Sequence, residues 1–244
     1  YTFLAHPVSA RTTVRIEVPP TVCTDLAGNP SMPSVSPLVI EHNRVSLMSS
    51  LTTIVSSPTR TAPIPVEVHF DRDVTGLSFS GFDIAGGEPA SELVRDSPRH
   101  YSFDVQPNAT YARVVVRLRA GAATDVLGIG NEPASLEVVY DAQEPTVELL
   151  TPVLSPSGNY PIPVTAAFSE PVSALSLSHI EVEGGSATSL VATPDGRTFT
   201  FSVLPNSTLV AVRVSIMAGA VIDSAGNPNL ASDTLVVEHG NAVC

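Results

Sequence analysis

Residues 162–185 read IPVTAAFSEPVSALSLSHIEVEGG, and residues 198–228 read TFTFSVLPNSTLVAVRVSIMAGAVIDSAGNP. Apolar residues alternate with polar ones in both stretches: Phe199, Phe201, Val203, then Val212, Val214, Ile216. A period of two is the pattern of a strand with one buried face. Clusters of Pro, Gly, Asn, Asp and Ser cut the runs short, and Pro194-Asp195-Gly196 supplies a hairpin turn in which glycine takes positive φ. No stretch carries a capped apolar stripe of helical period. Strands are predicted near 146–150, 162–168, 179–183, 187–192, 198–204, 209–217 and 233–238.

The same pattern occurs three times. Tyr1 opens YTFLAHP, Tyr101 opens YSFDVQP and Phe199 opens FTFSVLP. Each opening leads to an alternating strand (Val14, Ile16, Val18; Val114, Val116, Leu118; Val212, Val214, Ile216), then to a turn that begins at Asp25, Asp125 or Asp223. PLVIEH at 37–42, SLEVVYD at 135–141 and DTLVVEH at 233–239 close the three copies. The front halves of the last two copies also align, Ile64–Phe70 on Ile162–Phe168. A spacing near 100 residues marks a repeated domain, not a solenoid unit. Residues 1–43 therefore read as the C-terminal half of one domain, 44–141 and 142–239 as complete domains, and 240–244 as the start of a linker or a further domain. A half domain cannot close its own core, so the expectation is a chain that continues upstream, and downstream past Cys244.

About seven short strands in just under 100 residues is the count and size of an immunoglobulin-like β-sandwich, so the fold class is all-β, tandem sandwiches. Such domains reach a usable core without a disulfide. Phe70, Phe103, Phe168 and Phe201 are the expected aromatic core. The Phe-Ser-Glu-Pro-Val start at 168–172 and the Asp-x-Ala-Gly-Asn turn resemble the bacterial-type Ig-like repeats that occur in tandem in large surface proteins. The resemblance spans both complete copies and the half copy. It implies an extracellular modular spacer with no catalytic residues to carry over. The second copy departs from it: FDRDV stands at 70–74, and its turn reads as if Gly128, Ile129 and Gly130 were extra residues.

Composition narrows the function. Twelve basic residues, all Arg, face 24 acidic ones for a net charge of −12, which argues against nucleic-acid binding. No apolar run is long enough for a membrane-spanning helix, so no membrane insertion is expected from this segment. The absence of Lys beside abundant Ala, Val and Pro points to a GC-rich coding sequence. There is no GxSxG, P-loop or HExxH, and no pair of acids stands out as general acid and base, so the chain reads as no enzyme.

Several residues are candidates for other roles. Asn108-Ala-Thr110 and Asn206-Ser-Thr208 are N-glycosylation sequons at one repeat position, just after a strand-ending proline. Asp25, Asn29, Asp125, Asn131, Asp223 and Asn227 belong to the repeated turns, where Asp and Asn side chains hold backbone amides. No cofactor is expected. Calcium is the one ion the sequence admits, either in those turns or at the domain junction, where Asp141, Glu144 and Glu148 crowd. The six histidines read as scattered, His42 and His239 being copies of one strand-end feature. Cys23 and Cys244 lie too far apart to pair with each other. Each bonds outside the segment, bonds to another chain or stays free, Cys23 in that case as a small buried hydrophobe.

These readings converge on a structural rod within an extracellular glycoprotein filament or surface coat, its partners being copies of itself or other filament glycoproteins. Glycosylated flagellar hairs of algae (mastigonemes) fit the composition, sequons and repeats together. The alternative is the stalk of a cell-surface adhesin whose binding tip lies outside this segment.

Overall fold

The computed structural model describes residues 2–43 and 45–240. Two strands, β1 (Arg11–Ile16) and β2 (Leu38–Asn43), come first. The next unit contains β3 (Ser49–Thr52), β4 (Ile64–Phe70), β5 (Val74–Thr75), β6 (Phe82–Ala85), β7 (Gly87–Pro89), β8 (Val94–Ser97), β9 (His100–Pro107), β10 (Tyr111–Leu118), β11 (Thr124–Asp125) and β12 (Ala134–Asp141). The last contains β13 (Val147–Leu150), β14 (Ile162–Phe168), β15 (Ile180–Glu183), β16 (Gly185–Ala192), β17 (Thr198–Pro205), β18 (Val210–Ile216) and β19 (Leu235–His239). Each strand predicted in the last unit is found, with its ends shifted by no more than two residues. The only helices described are single 3-10 turns at Phe79–Gly81 and Leu177–His179. The fold is all-β, as expected.

In the last unit one sheet runs β13-β14-β17-β16 and faces a second, β15-β18-β19. The middle unit repeats this as β3-β4-β9-β7, with β8 also on β9, facing β12-β10-β6. All these named pairs are antiparallel. Alternation fills the space between sheets: Ile64, Val66, Val68 and Phe70 of β4 point inward, as do Val114, Val116 and Leu118 of β10. Phe70 meets Tyr101 edge-on at 6.1 Å between ring centroids, and the equivalent Phe168 meets Phe199 at 5.6 Å. Phe103 is wedged between Phe79 and Phe82. The buried apolar residues form two separate clusters, one drawn from 47–138 and one from 162–237.

The first strands show what happens when that arrangement is incomplete. Val14 pairs with Ile40 and Ile16 with Leu38; Val114 pairs with Val138 and Val116 with Leu136; Val212 pairs with Val237 and Val214 with Leu235. The register is the same three times. Yet Ile40 is 47% exposed where Val138 and Val237 are 2% exposed. Among the described residues β1 and β2 pair only with each other, and no opposing sheet covers them.

Candidate functional site

The repeated turns are built from the aspartate outward. Asp25 Oδ1 accepts hydrogen bonds from the Ala27 and Asn29 amides, both at 2.9 Å. Asp125 Oδ1 does the same with the Leu127 and Ile129 amides, and Asp223 Oδ1 with those of Ala225 and Asn227. The fourth residue is always glycine with positive φ: Gly28 at 85°, Gly128 at 75° and Gly226 at 90°. Asp Oδ2 takes a side-chain donor. In two copies that donor is the amide of Asn29 or Asn227, at 2.8 Å; in the middle copy Ile129 stands at that place and Arg72 Nη1 reaches in at 2.9 Å. At exposed Asp25, the bond from Asn29 is the first cause that holds its carboxyl below the usual value.

This geometry corrects the alignment of the middle turn. No residues are extra, because Gly128 stands where Gly226 does and Ile129 where Asn227 does. Asn131 is thus the equivalent of Asn229, not of Asn29 and Asn227. Asn131 Oδ1 accepts from the Ala123 amide and its Nδ2 donates to the Arg119 and Glu132 carbonyls. Asn229 makes the matching bonds to Val221, Met217 and Leu230. Both asparagines are buried and tie the turn back to the preceding strand.

The last of these turns sits against the end of the middle unit. Asn227 Nδ2 donates to the Asp141 carbonyl at 2.9 Å, and Arg60 Nη1 donates to the Gly226 carbonyl at 2.9 Å. Asp141 and Asp223 are both buried there, and a third carboxylate, Glu170, completes a group whose oxygens lie within 4.8 Å of one another. Burial, then the charges of Asp141 and Asp223, push the Glu170 carboxyl above its usual value. The junction trio expected from sequence is therefore not the one assembled. Asp141 is met by Glu170 and Asp223, while Glu144 and Glu148 point to solvent, Glu148 because it lies on the outward phase of β13. Calcium takes six to eight oxygens; Asp223 Oδ1 and Oδ2 and Asp141 Oδ1 already accept hydrogen bonds from protein donors.

Residues 141–238 match the bacterial Ig-like domain. A solved structure, the N-terminal part of the bacterial S-layer protein SbsC, aligns at 13% identity and a TM-score of 0.29, covering 80% of this chain and 45% of that one. The chain thus spans less than half of that structure. No curated protein matches the sequence.

In the Ig-like domain, Asn206 lies exposed in the turn that follows β17, and Asn108 occupies the same place after β9. Their amides donate to the carbonyls of Gly184 and Gly86. Those glycines have φ of 75° and 77°, and a Cβ on either would run into the Ala211 or Arg113 carbonyl. The side chain of each sequon asparagine is thereby presented outward on a fixed turn. Cys23 is an exposed thiol among the described residues. Its equivalents Ala123 and Val221 are each 2% exposed, so the exposure of Cys23 follows from the uncovered first hairpin. Cys244 lies outside the described residues.

One group escaped the sequence altogether. The histidines are not all scattered: His69 and His100 stack at 4.5 Å between centroids with Glu67 beside them. The signal for it was cross-strand register, which places His69 opposite His100 although 30 residues separate them in sequence. The Ig-like domain carries Thr165, Ala167 and Thr198 at the same places. Elsewhere the surface offers open depressions, such as one of about 540 Å³ lined by Glu181, Glu183, Arg213, Ser215 and Thr234 on the outer face of β15 and β18.

Proposed function

We propose that this chain is a structural, non-catalytic rod segment of an extracellular glycoprotein filament or surface coat. The observation that carries the reading is the seam. The Asn227 side chain of the Ig-like domain bonds the Asp141 backbone, and Arg60 bonds the Gly226 backbone, so two successive units are held end to end by directional contacts from both sides. Tandem sandwiches fixed in this way give length with limited bending. The match to a bacterial Ig-like domain, a fold with many non-catalytic hosts, supports an extracellular or cell-surface setting. Net charge of −12 favours solubility between neighbouring rods, and sequons at Asn108 and Asn206 give glycans outward positions. Within this class we assign the chain to a filament such as the flagellar hair of an alga.

Electron microscopy of the native material, before denaturant or reductant, tests this directly. Filaments with a fixed subunit repeat are expected. Separate flexible beads ending in a binding tip would replace the filament with an adhesin stalk.

A further inference from the structure

We propose that Glu67, His69 and His100 form a binding site for a divalent first-row transition ion, Zn²⁺ being the species its donors suit best. The site goes beyond the structural role and does not depend on it. β4 turns Val66, Val68 and Phe70 into the core, so the strand's period of two turns Glu67 and His69 outward. Antiparallel register then sets His100 of β9 directly across from His69. Glu67 Oε2 lies 3.3 Å from His69 Nε2 and 3.8 Å from His100 Nε2. Tetrahedral zinc with bonds of about 2.0–2.2 Å sets its ligands about 3.3–3.6 Å apart. The two carboxylate–imidazole separations are thus within a few tenths of an ångström of that range, and the ligand atoms of the two imidazoles lie within 4.8 Å of each other. Two imidazoles and one carboxylate fit zinc and its transition-metal neighbours and fall far short of the oxygen shell of calcium. A fourth position is left for water.

Three features distinguish this group from a chance meeting of polar residues. His100 Nε2 is closed off from solvent and makes no hydrogen bond, since 3.8 Å to Glu67 is too long for one. A buried polar atom left in that state costs about 1–3 kcal/mol, and a metal bond removes the deficit. On the other edge of the same ring, Asp96 Oδ2 stands 3.6 Å from Nδ1. That is just beyond hydrogen-bond length, so the small turn of the ring that metal binding requires can bring Asp96 into the outer-shell place that carboxylates take beside zinc-bound histidines. Finally, the fold does not require these residues. The Ig-like domain forms the same ladder, Ala167 opposite Thr198, without any of them. To share one ion the two rings must turn out of their stack, and at 44% and 31% side-chain exposure they have room to do so.

The test uses the full, untagged chain, stripped of metal and titrated with Zn²⁺ against a chromophoric chelator at neutral pH. One Zn²⁺ per chain is expected. His69→Ala and His100→Thr should each weaken binding by about 100-fold, and Asp96→Asn by about tenfold. A triple variant, Glu67→Thr with His69→Ala and His100→Thr, takes the residues the sister domain already uses, so it should fold, with an unchanged circular dichroism spectrum and melting curve, and lose the site. Nitrogen-15 spectra of the imidazoles should show Zn²⁺ shifting Nε2 of His69 and His100. No binding by the parent chain, equal binding by the triple variant, or shifts confined to His6, His42, His179 or His239 would each overturn the proposal.

Discussion

Asp125 and Asp223 hold their turns with the same two backbone amides but with different partners on the second oxygen. That difference decides how each turn fails. Asp125 has a side chain only 3% exposed, and Arg72 is the cation bonded to it. Arg72 also donates to the Val45 and Ser46 carbonyls, so one guanidinium ties the turn to the entry of the unit. Arg72→Ala leaves a buried carboxylate short of a donor and should cost about 2–3 kcal/mol, seen as a lower urea midpoint for residues 44–141. Asp223→Asn, whose amide can turn to keep one oxygen on the turn amides, should cost less. Acid should act on Asp195. Asp195 is held at about 2 from an ordinary 3.8, first by the Thr193 hydroxyl and then by the Arg197 amide. A depressed carboxyl stabilises the fold above its unfolded value, and that contribution is lost as pH falls from near 4 towards 2. Melting temperatures of Asp195→Asn should therefore vary less with pH across that window than those of the parent chain. The turn aspartates were readable because Asp-x-x-Gly is a local motif. Arg72 was not, because its partner lies 53 residues along the chain.

Among the elements, the hairpins are the part most fully written in the sequence. Alternation alone gave the strands of the Ig-like domain to within two residues, because each buries one face and so must keep a strict period of two. What alternation does not give is the identity of the residue opposite. His69 and His100 each read as single surface histidines until β4 and β9 are placed in register. The junction acids differ for the same reason: nearness in sequence favoured Glu144 and Glu148, while folding brought Glu170 and Asp223 from distant loops. The first hairpin separates local pattern from packing most cleanly. It has the register of β10–β12 but not their cover, and two strands alone are marginal in water. For residues 1–244 on their own, hydrogen–deuterium exchange should find the amides of β1 and β2 nearly unprotected and those of β10 and β12 protected by orders of magnitude. Equal protection would mean that something in solution covers Val14, Ile16, Leu38 and Ile40.

Over the whole molecule, the question is whether the seam makes one cooperative body or joins two. The seam is crossed by hydrogen bonds from Asn227 to Asp141 and from Arg60 to Gly226, with Ala142 to Thr110 and Gln143 to Asp141 at the linker, and a typical bond contributes about 0.5–1.5 kcal/mol net. Each cluster by contrast encloses its own phenylalanines and valines, and a domain of this size is stabilised by about 5–15 kcal/mol. Coupling worth a few kcal/mol can set an angle between units but cannot make them unfold together. Phe201 gives a direct way to measure this. It is 3% exposed at the centre of the Ig-like domain, and Phe201→Ala should cost that domain about 3–5 kcal/mol. Calorimetry should then show one transition move to lower temperature by roughly 10 °C or more while the other, from residues 44–141, stays within about the shift that losing the seam contacts produces. Removing the seam with Arg60→Ala and Asn227→Ala should leave both transitions nearly in place and broaden the distance distribution in small-angle scattering. A single transition that moves as a whole in Phe201→Ala would instead mean that the seam transmits more energy than its hydrogen bonds contain, and the rod would have to be treated as one folding unit.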